Sequence, residues 1–197
     1  MAYTEGEGGA AQVPWDNPVL RFEGFSEAPA DFVYDLLADL QSHLERAGRR
    51  QLETTRLLTV TAPPGPASVG TEFFTTGSDG KVARWADRSV VTEAIRPRTF
   101  EFVTEGRREA KPGSRPWMMT LVQRYQIAPE SGGSRVTYTE DVTRWVGAPG
   151  ILRIRAISRI LFGMSAKYMR RGFDGLLAMA AESSVRSVDH ANARSER

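Results

Sequence analysis

The sequence predicts an α+β domain in which a curved antiparallel sheet of seven strands wraps around a long C-terminal helix. Three observations support this fold class. Apolar and polar residues alternate with a period of 2 in seven short segments, as they do in half-buried strands. Turn-forming residues separate most of these segments, and such short connections join antiparallel strands. After Pro149 the apolar period becomes helical and is maintained to about Arg186.

The seven predicted strands share this alternation and are bounded by residues that favour turns. They are Val19–Phe25, Leu52–Thr61, Gly70–Thr76, Arg84–Ile95, Thr99–Glu105, Trp117–Ile127 and Arg135–Trp145. One of the predicted turns is Gly77-Ser78-Asp79-Gly80, which combines the four residues around which tight turns are usually built.

Two short helices are predicted after the first strand. Pro29 stands where the first would begin, since its missing N–H costs nothing at the first helical position. The apolar stripe of that helix is formed by Phe32, Val33, Leu36, Leu37 and Leu40. Ser42 and Glu45 have the spacing of a capping box for the second helix, which Gly48 can close.

The C-terminal helical pattern is longer than a compact domain of this size requires. Its apolar face contains Ile154, Ile157, Leu161, Met164 and Tyr168. At about 1.5 Å per residue the whole pattern would span roughly 50 Å. We therefore expect its start or its end to be irregular.

The domain organisation follows from composition. We expect residues 1–14 to be a disordered arm, residues 15–186 to be one domain, and residues 187–197 to be a disordered tail. The start of the chain lacks the basic and apolar regions of a signal peptide, and no stretch approaches the ~20 apolar residues of a membrane span. These features predict a cytoplasmic protein.

Residue counts exclude several classes of site. The absence of cysteine rules out disulfides, thiolate metal sites and a cysteine nucleophile. Because His43 and His190 are the only histidines, a histidine-based metal site within one chain is not expected. The net charge of +2 says little about partners. No phosphate-binding loop, nucleophile elbow or nucleic-acid-binding motif is present, so we expect no cofactor and no nucleic acid.

Four segments together resemble the SRPBCC superfamily, which includes the START-domain and birch-pollen-allergen proteins. They are Phe25–Asp39 (FSEAPADFVYDLLAD), Val69–Phe73 (VGTEF), Val91–Phe102 (VTEAIRPRTFEF) and Gly132–Tyr138 (GGSRVTY). The resemblance rests on their order and spacing and covers about residues 18–185. It is closest to the polyketide cyclase/dehydrase and lipid-transport-like branch. Two departures are the missing Trp near the second helix and the basic character of Thr104–Arg115.

This resemblance implies a helix-grip fold with an apolar cavity between the sheet and the C-terminal helix. It also implies a small hydrophobic ligand that is lipid-like or polyketide-like. It does not imply one reaction, because some members cyclise or dehydrate what they bind whereas others are carriers.

The candidate site lies on two neighbouring strands, where apolar side chains share one face with a few polar ones. Glu140 lies on the same face as Val136 and Val142, and burial there would require hydrogen-bond partners or a neutral carboxyl. It is the one catalytic candidate. The candidate ligand-binding residues are Phe100, Phe102, Trp117, Met119, Leu121, Gln123, Tyr125, Tyr138, Glu140, Met164 and Tyr168. The same pattern also fits plain core packing.

Two questions remain open at this level. On strand 84–95, the face of Val91 would bring Asp87 and Glu93 inward as well, and the pattern does not choose between the faces. The basic residues of segment 153–171 fit either a solvated helix face or peripheral contact with an anionic membrane or an acidic carrier protein. Our leading hypothesis is a binding or transport protein for a hydrophobic molecule. The alternative is a polyketide cyclase/dehydratase-type enzyme.

Overall fold

One seven-stranded antiparallel sheet forms the frame of the molecule, with strand order β1-β7-β6-β5-β4-β3-β2. The computed structural model describes residues 20–44, 55–80, 83–148, 150, 166–167 and 169–186. The strands are β1 (Leu20–Ser26), β2 (Thr55–Thr61), β3 (Glu72–Asp79), β4 (Ala83–Ile95), β5 (Thr99–Glu109), β6 (Trp117–Glu130) and β7 (Gly133–Val146). Helix α1 (Ala30–Ala38) follows β1, and helix α2 comprises residues 169–186. The predicted fold class is confirmed.

The strands from β2 to β7 form a meander, and β1 closes the order by pairing with β7. Short turns allow each strand to pair with the next in sequence, which explains the antiparallel arrangement. The sheet is curved, and its concave face packs against the helices.

Helix α2 lies against the β1 side of the concave face. Its buried side chains Phe173, Leu177 and Ala180 recur at helical spacing, so they form one apolar stripe. The ring of Phe173 lies 6.1 Å from that of Phe22 on β1. The hydroxyl of Ser26 donates a hydrogen bond of 2.9 Å to the carbonyl of Leu177, which ties the helix to the end of β1.

Helix α1 closes one end of the concave face. Val33 and Leu37 of the predicted apolar stripe are buried, and so is Tyr34, which the predicted stripe did not include. Tyr34 meets Phe100 of β5 edge to face at 6.0 Å. On the exposed side of the helix, the guanidinium of Arg96 in the β4–β5 turn donates two hydrogen bonds to the carboxylate of Asp35, at 2.7 and 2.9 Å.

A register shift in β4 decides which of its residues face the core. Pairing with β5 moves by one residue between Val91 and Glu93, so Thr92 is the extra residue of a bulge. Val91 is therefore buried, whereas Glu93 lies on the convex face and pairs with Arg124 at 2.8 Å. Asp87 lies on the same face as Val91. The open question about this strand is resolved by the bulge.

One predicted turn is wrong. Gly77, Ser78 and Asp79 continue strand β3 and do not form a turn with Gly80. The reason is packing, because the indole of Trp85 on β4 covers Gly77 so closely that a Cβ there would overlap the ring. The strand extends until the chain reverses between Asp79 and β4.

Other expectations fall outside the described residues. These are the arm 1–14, the tail 187–197 and the helical segment 151–165, together with most of the second short helix, of which residues 43–44 are helical. The helical prediction is confirmed for residues 169–186. Neither α1 nor the described part of α2 has the length and hydropathy that crossing a bilayer requires.

Replacing Gly133 with alanine tests how closely β7 approaches β1. A Cβ on Gly133 would overlap the carbonyl oxygen of Ser26 and lie 2.9 Å from the Cα atom of Glu27, and these backbone atoms cannot rotate away. We expect Gly133→Ala to lower the free energy of unfolding, measured in urea, by about 1–3 kcal/mol or more.

The matched control is Gly172→Ala in helix α2, where a Cβ would meet no heavy atom within 4 Å. We expect it to be neutral or to stabilise by up to about 1 kcal/mol, because alanine has the higher helix propensity. Equal effects of the two substitutions would contradict the close approach of β1 and β7.

Candidate functional site

A polar cluster lies on the concave face where strands β6 and β7 pair. Its members are Gln123 and Tyr125 on β6 and Tyr138 and Glu140 on β7, and we call these four residues the polar corner. Gln123 is directly opposite Glu140, and Tyr125 is directly opposite Tyr138. Directly opposed side chains on one face lie about 5 Å apart at Cβ, so this register alone brings the four together.

Hydrogen bonds converge on one oxygen of the Glu140 carboxyl. The hydroxyl of Tyr138 donates to Oε2 at 2.7 Å, and Nε2 of Gln123 donates to the same atom at 2.9 Å. Nε2 of Gln123 also lies 2.9 Å from the Tyr138 hydroxyl oxygen. Among the described residues, no hydrogen bond is made to Oε1 of Glu140, which is the oxygen available to a further donor.

A chain of hydroxyls extends the network across the sheet and orients Gln123. The Thr104 hydroxyl on β5 donates to Oε1 of Gln123 at 3.2 Å, and it lies 2.8 Å from the hydroxyl of Ser89 on β4. Since Oε1 of Gln123 is occupied as an acceptor, its Nε2 is directed towards Tyr138 and Glu140. Ser89 and Thr104 are buried, so this chain satisfies groups that would otherwise lose their water without compensation.

Burial raises the pKa values of the ionisable side chains in the polar corner. Desolvation raises the pKa of Glu140 above its ordinary value, although the hydrogen bonds from Tyr138 and Gln123 and the charge of Arg108 act in the opposite direction. Desolvation also raises the pKa of Tyr138 and of Tyr125, and the nearby Glu140 charge adds to both effects. The tyrosines are therefore hydroxyl donors at neutral pH.

Aromatic rings surround the corner. Tyr138 stacks on Phe22 of β1 at 5.9 Å, and its ring centroid is 4.8 Å from that of Tyr125. Farther along the face, Phe73 of β3 meets Phe102 of β5 at 5.4 Å. Within the described part of the chain, the hydroxyl of Tyr125 has no hydrogen-bond partner. Tyr125 is partly exposed on the concave face, so this hydroxyl is a second position for a ligand group.

A charged pair lies on the same face towards the β5–β6 turn. Arg108 of β5 forms a short ion pair with Asp87 of β4, with side chains only 16% and 14% exposed. The guanidinium also lies 5.6 Å from the ring of Trp85. Gly106 leaves space for this pair, because a Cβ there would lie 2.8 Å from both the Arg108 guanidinium and the Asp87 carboxylate. Beside it, Trp117 and Trp145 stack at 5.5 Å and form the end of the aromatic lining.

The structure places the predicted site residues of β5, β6 and β7 on the concave face. Phe100 is fully buried, and Leu121, Tyr138 and Glu140 are buried. The partly exposed residues are Phe102, Trp117, Met119, Gln123 and Tyr125. Met164 and Tyr168 lie outside the described residues. The role of all these residues in ligand binding stays a prediction.

Sequence reasoning missed Ser89, Thr104 and Arg108. The alternation of strand β5, in which these positions share a face with Phe100 and Phe102, was the signal that could have found Thr104 and Arg108. The predicted strand ends at Glu105, so Arg108 lies beyond it, and segment Thr104–Arg115 stands out in the sequence only for its basic character. No group of three or more acidic or histidine side chains among residues 20–44, 55–80, 83–148 and 169–186 could hold a metal ion.

Comparison with known proteins identifies the fold but not a family. No family model matches the chain, and no curated protein sequence matches it. A protein from Rhizobium leguminosarum is similar in structure, with a TM-score of 0.63, 14% identity and coverage of 85% of this chain and 96% of that one.

Two further solved structures have the same arrangement of sheet and helix. Ara h 8.0201 has a TM-score of 0.56 at 12% identity, covering 85% of this chain and 99% of its own. The KanY protein has a TM-score of 0.52 at 15% identity, covering 86% and 99% respectively. These likenesses support the helix-grip fold.

The pH dependence of stability tests the state of Glu140. Because its pKa in the folded protein is raised above 4.5, the folded protein keeps the proton to higher pH than the unfolded chain does. Ionisation of Glu140 therefore lowers stability as the pH rises from about 4.5 through the raised pKa. We expect the stability of Glu140→Gln relative to the wild type to increase over that window, in urea denaturation from acidic to neutral pH. A difference that does not change with pH would contradict the raised pKa.

Proposed function

We propose that the protein binds a small hydrophobic ligand between the concave face and helix α2, with the polar corner orienting the polar atoms of the ligand. The hydrogen bonding of the polar corner supports this proposal most strongly. A buried carboxyl is held in place through one oxygen, and its other oxygen and the nearby Tyr125 hydroxyl are unused by the described residues. Ligand sites combine apolar walls with a few such convergent polar groups.

Affinity would come mainly from apolar burial. At roughly 25 cal/mol per Å², a ligand that buries about 300 Å² of apolar surface gains about 7–8 kcal/mol before the costs of binding are subtracted. The partly exposed rings of Phe102, Trp117 and Tyr125 provide wall area of this kind. One or two hydrogen bonds at the corner add about 1 kcal/mol each and select the ligand by its polar group.

The resemblance to the SRPBCC superfamily supports a lipid-like or polyketide-like ligand, a carrier role within the cytoplasm, and residues 15–186 as the ligand-binding domain. The hydrogen-bonding groups of the polar corner also favour one kind of ligand group. Oε1 of Glu140 accepts hydrogen bonds when ionised, and the Tyr125 hydroxyl can donate or accept. A ligand hydroxyl near both groups would satisfy them together.

A second candidate function is supported by the raised pKa of Glu140. A carboxyl whose pKa is moved towards neutrality can exchange a proton with a bound substrate, and the adjacent Tyr138 can hydrogen-bond the ionised form. An enzyme of the polyketide cyclase/dehydratase type would use Glu140 in this way, with the cavity shape folding the substrate. The other ionisable groups of the polar corner are Tyr125 and Tyr138, and the raised pKa of each keeps its hydroxyl protonated, so binding is the leading proposal.

Naphthalene and 2-naphthol provide a matched pair of probes for the corner. They differ by one hydroxyl, and their own fluorescence reports binding. We expect Tyr125→Phe to weaken 2-naphthol binding roughly 5- to 10-fold, the equivalent of about one hydrogen bond, and to leave naphthalene binding unchanged. Glu140→Gln should likewise affect 2-naphthol more than naphthalene.

Asp141→Asn is the control, because Asp141 follows Glu140 on β7 and therefore lies on the opposite face of the sheet. It should change neither affinity. Equal losses for both probes in Tyr125→Phe, or a loss in Asp141→Asn, would place the binding site elsewhere.

Native mass spectrometry of protein purified from its own host separates the two candidate functions. A carrier should retain a chemically unchanged apolar ligand, in Glu140→Gln as well as in the wild type. Turnover of the co-purified molecule that is lost in Glu140→Gln would reject the carrier role in favour of the enzyme.

A further inference from the structure

Exposed cations gather at the end of the sheet where the β3–β4 and β5–β6 turns lie. We call this surface the basic end and define it by Arg84, Arg107, Lys111, Arg115 and Arg144, all of which are exposed. The acids in the same region are Asp79, Glu105 and Glu109. Glu109 is paired with Arg107 at 2.6 Å, and Glu105 lies 3.6 Å from the guanidinium of Arg88. Strand pairing holds the surface together. Arg84 is opposite Glu109, and Arg144 lies two residue pairs from Met118 along the β6–β7 ladder.

At the opposite end of the sheet, acidic side chains outnumber basic ones. Helix α1 and the neighbouring turns carry Glu27, Asp31, Asp35, Asp39 and Glu130. The cations there are Arg96, Arg98 and Arg135, of which Arg96 is paired with Asp31 and Asp35 and Arg135 with Glu130. The two ends therefore differ in sign, and an anionic surface would orient the molecule with its basic end inward.

Apolar side chains lie among the cations of the basic end. Met118 is 44% exposed, and pairing places it directly between Arg107 of β5 and Val146 of β7. Trp117 is partly exposed and stacks on Trp145 at the edge of the aromatic lining. Methionine, tryptophan and arginine side chains together suit the boundary between lipid headgroups and acyl chains.

We propose that the basic end docks on an anionic lipid bilayer. A bilayer fits better than an acidic protein, because it offers negative charge and an apolar layer to Arg107 and Met118 at the same time. The sequence that follows β7 has the same composition, since no acid occurs between Pro149 and Phe173 while apolar and basic residues are both frequent there. The proposal does not rest on ligand binding, and it can be tested on the protein without a ligand.

Co-sedimentation with phosphatidylcholine vesicles, with and without phosphatidylglycerol, tests the docking. We expect binding only to the vesicles that contain phosphatidylglycerol, and we expect added salt to weaken it. Each cation near such a surface increases the partition coefficient of the protein onto the vesicles about five-fold. Lys111→Gln/Arg144→Gln should therefore reduce partitioning roughly 10- to 30-fold, and Met118→Ser should reduce it a few-fold.

Arg21→Gln/Arg98→Gln is the matched control. It removes the same charge from exposed positions away from the basic end, and we expect it to retain nearly full binding. Equal losses for the two double variants would mean that net charge, not this surface, controls binding. Absence of binding by the wild type would overturn the proposal. Binding to soluble poly-glutamate but not to the vesicles would overturn it in favour of an acidic protein partner.

Discussion

The need to satisfy polar groups on the concave face is the constraint on which the rest of the structure depends. Ser89, Thr104, Gln123 and Glu140 lie on four neighbouring strands, and each finds its partner on the adjacent strand. A slip of one residue in any pairing would turn one of these groups outward and leave another buried without a partner. The polar network and the strand register therefore specify each other. The bulge in β4 and the register shift between Thr120 and Leu121 in the β6–β7 pairing are parts of that register.

The hydrogen-bond network contains a carboxyl whose burial lowers the stability of the fold, and packing alone does not explain its presence. Glu140 is almost completely buried, and burial of its charged form opposes folding. Leucine at that position would avoid the penalty and would still fill the space. Groups that violate local rules of stability are expected where a protein does its work, so the position of Glu140 supports a functional role. The buried pair Arg108–Asp87 is a second such group on the same face.

Much of the fold could be predicted from sequence because alternation and turn chemistry act locally. All seven strands lie within a few residues of their predicted bounds, and α1 begins at Ala30, one residue after the predicted first helical position. The faces of β6 and β7 could also be predicted, since their alternation is unbroken from Trp117 to Ile127 and from Val136 to Val142. The continuation of β3 through Gly77 could not be predicted, because the packing of Trp85 on that glycine is a contact between strands. The face of Glu93 depended on a bulge at Thr92, which leaves no mark in the apolar pattern. The ion pair of Arg108 and Asp87 joins residues far apart in sequence, and only the sheet register brings them together.

A crystal structure of the protein purified from its own host tests the central claim most directly. The account predicts electron density for an apolar molecule between the concave face and α2, with one polar atom within hydrogen-bonding distance of the Tyr125 hydroxyl or of Oε1 of Glu140. Density for such a molecule elsewhere on the protein would contradict it. So would a concave face filled by the side chains of the chain itself, with Glu140 fully hydrogen-bonded among them.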